Sequence, residues 1–311
     1  MRKKDVLEFS LRAEENLFYL IADLRNGNYT HGQYIRFIVC DPKRREIAKA
    51  PVRDRVLHHA LCRVLTPLFE PSFVFDSYSS RKEKGIHKAG KRLDKFAQKL
   101  AHNHTKTIWI LQVDMRKFFD SVDHEILFSL LRKKIKNEKV LSLLEIIIQS
   151  YEKSKGKGIP LGNLTSQLFS NVYLDLLDNF VKRELQAKYY LRYADDIIIL
   201  SRDKNFLEDC LSKVANFIEE KLKLDLHPKK ISLKRWKQGI DFLGYVHFPT
   251  HSVLRTKTKR RMIGRMAEKN IELKNKKISD KSYQQSLQSY FGVLKHCRGR
   301  KIKTRLESIG D

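Results

Sequence analysis

The stretch Tyr189-Tyr190-Leu191-Arg192-Tyr193-Ala194-Asp195-Asp196-Ile197-Ile198-Ile199-Leu200 sets two adjacent carboxylates between two runs of Ile, Leu and Tyr. β-branched and aromatic residues on both sides of a short polar tip predict a tight hairpin between buried strands. Two anions at the tip of such a hairpin cost stability unless a cation accompanies them. A divalent metal is the simplest cation that fits. The alternative is an ordinary surface turn with Asp at its corners, and the surrounding sequence decides between the two.

The chain has 311 residues, 41% of them hydrophobic. That is enough for one large domain or two to three subdomains and excludes a disordered chain. Lys and Arg number 63 against 36 Asp and Glu, a net charge of +27 and a sequence pI of 9.9. An excess of this size repels itself, and a polyanionic partner, nucleic acid above all, explains it best. The basic residues are spread along the chain rather than gathered on one amphipathic anchor, which argues against a membrane surface. Cys40, Cys62, Cys210 and Cys297 form no Cys-x-x-Cys pair, so neither zinc nor a disulfide framework is indicated. Without a signal-peptide core or an apolar run of roughly 18 residues, a cytoplasmic protein with no membrane partner is expected.

Helical spacing covers residues 5–26 and stops at Asn26-Gly27-Asn28, a turn signal. Residues 33–50 read as a strand hairpin and 51–69 as a Pro-initiated helix. A strand from Thr107 to Met115 ends at Asp114, and helices follow at 123–135 and 165–185, with a loop at 151–162. The Asp195-Asp196 hairpin precedes a helix at 204–222 and two strands, Ile231–Arg235 and Gly239–Phe248. This order predicts an antiparallel sheet backed by helices, an α+β fold. In such a sheet Asp114 lies beside the Asp195-Asp196 tip, giving three carboxylates at one edge. They suit two-metal nucleotidyl transfer with Mg²⁺, and three acids alone fit a nuclease or a structural cluster equally. Residues 255–311 hold 17 Lys/Arg and 5 Asp/Glu with helical spacing from Tyr283 to Leu294, a small basic helical module with one packed face and one face for nucleic acid or solvent.

The tetrad Tyr193-Ala194-Asp195-Asp196 resembles the catalytic hairpin of reverse transcriptases, and Val113-Asp114-Met115-Arg116-Lys117-Phe118-Phe119-Asp120 resembles their first catalytic motif. The resemblance implies that Asp114, Asp195 and Asp196, joined by the Met115 carbonyl, bind two Mg²⁺ ions, with Mn²⁺ able to substitute; Asp196 either binds metal or orients the site electrostatically. It assigns Phe119 to the ring that excludes a ribose 2′-hydroxyl, a core Phe being the alternative. Upstream, Asp41-Pro42-Lys43-Arg44-Arg45 is similar to the fingers motif, so Lys43 and Arg45 would grip the triphosphate, while Asp54 and Arg55 read as structural. Arg81, in Tyr78-Ser79-Ser80-Arg81, matches an arginine near the template backbone. Gly158-Ile159-Pro160-Leu161-Gly162-Asn163-Leu164-Thr165-Ser166-Gln167 matches the wall of the nucleotide pocket, with Leu161, Gly162 and Gln167 against the substrate. His227-Pro228-Lys229-Lys230-Ile231 matches the segment whose lysine protonates pyrophosphate, and Lys230 is favoured over Lys229. Phe242, Leu243, Gly244 and Tyr245 match the primer grip.

These motifs stand in the family's order over almost the whole chain. They imply a right-handed polymerase with an N-terminal helix and fingers (1–106), an RRM-like antiparallel palm (107–249) and a basic helical thumb (250–311). The implied partners are template RNA, a primer and dNTPs. The pocket phrase, the Phe-Leu-Gly-Tyr segment running to Leu254-Arg255 and the short basic tail look like the enzymes of diversity-generating retroelements. That likeness implies copying errors opposite template adenine and a small basic accessory protein. Group II intron enzymes usually carry Gln where this chain has Leu161, and the Val-Thr-Gly signature of retron enzymes is absent. The rival readings are a non-mutagenic bacterial or group II-like reverse transcriptase, an RNA-templated RNA polymerase, and a non-catalytic maturase-like RNA-binding protein.

Overall fold

A computed structural model describes residues 4–40 and 44–309; Lys43, expected at the triphosphate, lies outside the described residues. The chain opens with helices α1 (Lys4–Leu11) and α2 (Ala13–Asn26). Gly27, in the left-handed region at φ 73°, ends α2 by donating its N–H to the Asp23 carbonyl, a conformation that glycine adopts without penalty. The expected hairpin forms from strands β1 (Ile35–Val39) and β2 (Arg45–Lys49). Pro51 then leads into α3 (Val52–Phe69), which buries Leu57, Cys62, Leu65 and Phe69.

Next come α4 (Ile86–Leu100), β3 (Trp109–Asp114), α5 (Phe118–Ser121), α6 (His124–Lys134), α7 (Glu138–Gln149) and α8 (Leu164–Asn179). Asp123 and Asn137 cap α6 and α7 by accepting from the N–H groups of Ile126 and Val140, satisfying donors that a helix start leaves orphaned. The expected helix at 165–185 stays α-helical only to Asn179 and finishes as a π turn over Phe180–Glu184. Then follow β4 (Tyr189–Tyr193), β5 (Asp196–Ser201), α9 (Lys204–Leu222) and β6 (Ser232–Arg235). The sheet order is β4-β5-β3-β6, with β3 and β6 antiparallel, so the α+β class holds.

The chain continues with β7 (Ile240–Phe242), β8 (Tyr245–His247) and β9 (Ser252–Leu254), then α10 (Thr256–Lys274), α11 (Asp280–Leu294) and α12 (Arg300–Glu307). The strand that the apolar pattern predicts over Gly239–Phe248 is a hairpin, the form that the primer-grip resemblance implies for this segment. Phe242 pairs with Tyr245, and Leu243 and Gly244 between them both have positive φ, 51° and 92°, the geometry of a two-residue type I′ turn.

Two compact units interleave in the sequence. One comprises the residues up to Lys82, Val113–Ile197 and Asp209–Ile231; the other comprises Glu83–Gln112, Ile198–Glu208 and the residues from Ser232 onward. At the centre of the first, α8 buries Leu168, Phe169, Val172, Tyr173, Leu174 and Leu177 together with the polar Thr165, Ser166, Ser170, Asn171 and Asp178. In the second, Tyr245 and Leu254 join Met262, Met266, Tyr283, Leu287, Leu294 and Leu306 from α10–α12 in one core cluster. Among the described residues no helix is long and apolar enough to cross a membrane.

Leu243 is costly where it stands, since a left-handed conformation disfavours a non-glycine residue by roughly 1–2 kcal/mol and Asn tolerates it best. Leu243→Asn is therefore expected to raise stability by about 1 kcal/mol and Tm by about 2–4 °C. A thermal melt checks this; a lowered Tm would mean that packing of the leucine outweighs the strain.

Candidate active site

Asp114 is the last residue of β3, and the chain beyond it is pinned by backbone hydrogen bonds. The Asp114 carbonyl accepts from His227 N–H at 2.8 Å, and Arg116 N–H donates to the Asp225 carbonyl at 2.8 Å. Met115 faces Leu226 across this short antiparallel bridge, and neither bond uses the Met115 carbonyl. Asp195 occupies the two-residue tip between β4 and β5. Burial pushes its carboxyl above the usual carboxylate range, and the charge of Asp114 pushes it the same way. Burial and a like charge both disfavour a second anion, so this pair calls for positive charge.

The protein's own cation there is Lys230. Its ammonium donates to Asp114 Oδ1 from the short turn Pro228–Lys230, whose last N–H closes back on the His227 carbonyl. The geometry thus brings Lys230, and not Lys229, to the carboxylates. Lys230 and Arg45 both act to lower the Asp195 pKa, which sets Arg45, the first residue of β2, within electrostatic reach.

The three expected carboxylates do not gather into one closed cluster. Among the described residues no three His, Cys, Asp or Glu side chains gather closely enough to hold an ion. Asp196 begins β5, directly after Asp195. Of the three carboxylates expected at one edge, Asp114 acts electrostatically on Asp195. Two hard oxygen donors from like-charged carboxylates, with an ammonium standing on one of them, fit a magnesium-like ion, which needs only one or two carboxylates beside phosphate and water oxygens.

Lys117, at φ 47°, redirects the chain after Asp114 into α5. Phe118 is buried and meets Phe119 edge-on at 5.4 Å, whereas Phe119 is partly exposed. Of the two rings, Phe118 is core and Phe119 is presented. Opposite, the Leu161 carbonyl accepts from Ala48 N–H at 3.1 Å, and Asn163 both accepts from Ala50 N–H and donates to the Ala48 carbonyl at 3.3 Å. Gly162 has φ +113°, and a Cβ there would stand 2.9 Å from Ile47 Cγ2, so only glycine lets this wall approach β2. Leu161 is half-buried and Gln167 exposed.

One expectation is corrected. Arg81 does not extend toward a template: its side chain is 6% exposed, pairs with Glu70 at 2.7 Å and donates to the carbonyls of Val74 and Ser77. In the primer-grip segment Phe242 and Tyr245 are buried, with the Tyr245 hydroxyl on the Val293 carbonyl, which leaves Leu243 and Gly244 as the tip.

Sequence reasoning missed the layer behind the hairpin. Arg192 is fully buried and pairs with Asp178 of α8 through Nε and Nη2, at 2.7 and 2.6 Å. The Tyr190 hydroxyl donates to the same carboxylate. The signal was present, as an arginine inside an apolar strand and an aspartate inside an apolar helix, because buried charges come paired. Ala194, between Arg192 and Asp195, is held at φ 54°, a conformation that costs a non-glycine residue on the order of 1–2 kcal/mol.

A protein-family model described as "Reverse transcriptase (RNA-dependent DNA polymerase)" matches residues 40–247. Among curated proteins the chain is similar to the protein YkfC of Escherichia coli K12, 25% identical over 241 residues, 65% of this chain and 63% of that protein. It is also similar to the group II intron-encoded protein LtrA of Lactococcus lactis, 24% identical, with 75% of this chain and 50% of that protein covered. The chain thus spans less than two thirds of the length of these relatives. Among solved structures it resembles apo telomerase from Candida tropicalis, truncated from the C-terminal domain, at a TM-score of 0.56 and 12% identity over 78% of this chain and 60% of that one. At such identity the likeness concerns the fold alone, and it is the polymerase fold expected from the sequence. With the reverse transcriptase model matching more than half of it, the chain belongs to the reverse transcriptase (RNA-dependent DNA polymerase) family.

Proposed function

We propose that this protein extends a primer on an RNA template by adding deoxynucleotides. The observation that carries the reading is the Asp114–Asp195 pair, brought together at two strand ends and answered, among the described residues, by Lys230 and Arg45. Asp114, Asp195 and the Met115 carbonyl would hold the divalent ions, with Asp196 contributing charge from the neighbouring position. Divalent ions held there would supply activation of the primer 3′-hydroxyl and neutralisation of the triphosphate and its leaving pyrophosphate. The chain's residues do the rest. Lys230, released from Asp114, is placed to give its proton to the departing pyrophosphate. Arg45 and Lys43 bind phosphate oxygens, Phe119 excludes a ribose 2′-hydroxyl, and Leu161, Gly162 and Gln167 wall the base and sugar. In this reading residues 1–106 serve as fingers, 107–249 as palm and 250–311 as a thumb whose exposed Lys and Arg follow the backbone of the template–primer duplex. Leu243 and Gly244 present the tip of the primer grip.

The finer reading we favour is an error-prone enzyme of the diversity-generating kind, working with a structured template RNA and a small basic accessory protein. Its support is Leu161, which fills the volume of a glutamine but offers no hydrogen bond to the incoming nucleotide. The likeness to a group II intron-encoded protein favours a second reading, a non-mutagenic intron-type enzyme. In cDNA copied from a defined RNA, errors concentrated opposite adenine are expected. Leu161→Gln should lower them about three- to tenfold, the worth of one neutral hydrogen bond. Equal, low error rates opposite all four template bases in the parent protein would leave the intron-type reading.

Removing one metal-binding charge forfeits several kcal/mol of transition-state stabilisation, so Asp195→Asn should cut primer extension by about 10²–10⁴-fold. The same change should raise Tm in EDTA. Asp195 has a raised folded pKa, so ionising it weakens the metal-free fold as pH rises through and above the ordinary carboxylate value, and the amide removes that loss. Parental extension by purified Asp195→Asn protein would sink the polymerase reading. Phe119→Ala should admit ribonucleotides on the order of 10–100-fold better, measured as the ratio of rNTP to dNTP incorporation; an unchanged ratio would assign the ring to packing.

A further inference from the structure

The guanidinium of Arg192 has five N–H donors, and each has a partner. Nε and Nη2 reach the two oxygens of Asp178, and the second Nη2 hydrogen reaches Ser77 Oγ at 3.2 Å. Nη1 serves the Asn171 side-chain oxygen at 3.4 Å and the Ala194 carbonyl at 3.1 Å. The Arg192 backbone is clamped as well, its N–H on the Asp76 carbonyl and its carbonyl on Tyr78 N–H, both at 2.9 Å. The bond to Ala194 differs from the others. It bears on the residue in the left-handed conformation immediately before Asp195, and its geometry fixes the peptide from which Asp195 departs.

We propose that Arg192 is a positioning residue that aims the Asp195 carboxylate at its metal ion by gripping the Ala194 carbonyl of the hairpin tip. The proposal rests on the polymerase reading above. Asp178 matches the charge of Arg192, so the pair adds no net charge behind the tip and leaves the Asp114–Asp195 repulsion for the ion to relieve. Fork geometry is what the site requires. A lysine in the same place keeps a point charge opposite Asp178 and lacks the planar fork that reaches Asp178, Asn171, Ser77 and Ala194 at once.

The test is Mn²⁺ binding by the full chain without nucleotide, followed by electron paramagnetic resonance, beside Tm and primer extension. Arg192→Lys should weaken Mn²⁺ about 10–100-fold, as loss of a ligand's supporting partner does, and saturating Mn²⁺ should restore most of the extension. Arg192→Met combined with Asp178→Leu replaces the buried pair by apolar side chains, an exchange that proteins often accept without loss of stability. If that double variant melts near the parent, it should show the same weakened Mn²⁺ binding, which a purely structural role would not produce. If it does not fold, Arg192→Lys, which keeps the charge opposite Asp178, decides alone. Parental Mn²⁺ affinity in a folded variant of Arg192 would overturn the proposal. Parental affinity in Asp195→Asn would instead overturn the active-site reading.

Discussion

Two carboxylates at the ends of separate strands, Asp114 on β3 and Asp195 beyond β4, repel each other in partly desolvated surroundings, and the local architecture answers that repulsion. Burial and the neighbouring charge raise the Asp195 pKa; Lys230 lies on Asp114. Around this small negative centre the chain carries +27. Such a field draws a phosphate-rich ligand toward the protein as a whole, while only the centre attracts a metal cation. The sign inversion at the site is what separates a polymerase-like arrangement from a surface that merely binds nucleic acid.

Holding the repulsive pair in register falls largely to α8. The helix starts at Asn163, whose side chain ties the segment carrying Leu161 and Gly162 to Ala48 of β2 and to Ala50 just beyond it. It runs through the core by way of Tyr173, whose hydroxyl reaches the Leu222 carbonyl at 2.7 Å, and five residues later offers Asp178 to Arg192. One rigid element therefore sets both the wall that a nucleotide would meet and the layer supporting Asp195. A buried ion pair is weak evidence for stability, and its value here is better sought in the uniqueness of the arrangement. With all five donors of Arg192 matched, a shift of the hairpin tip would break several bonds at once.

Much of this was legible in the sequence wherever a local rule acted alone. Alternating and β-branched runs gave β4 and β5, Pro51 and Gly27 marked helix ends, and the spacing Tyr283, Leu287, Leu294 fixed the packed face of α11. Elsewhere tertiary contacts decided. α4 was not read because its buried face is built partly from Ala89, Gly90 and Ala97, small residues that carry little periodic signal. The strand expected over Gly239–Phe248 turned back on itself because the pattern of apolar residues survives a two-residue reversal. Asp114 and Asp195 were readable as a motif. Arg81 looked like a free cation in a polar stretch, and no local rule announces that Glu70 and two carbonyls enclose it.

Three non-glycine residues in left-handed backbone sit next to the groups given functional roles: Lys117 ahead of Phe119, Ala194 before Asp195, and Leu243 at the tip of the β7–β8 hairpin. Glycine would adopt each conformation without strain. It would also widen the range of conformations open to the tip, and a carboxylate or ring carried on a looser turn spends less time where it is needed. A side chain in the left-handed region narrows that range, provided the surroundings over-determine the conformation. At Ala194 the surroundings are Arg192 and the strands on either side. At Leu243 the flanking Phe242 and Tyr245 are buried, and the Gly244 carbonyl is held by Arg255 N–H at 3.0 Å. Strain at these tips is the physical counterpart of order at the groups they carry, and it is sustained by buried residues that would touch no substrate.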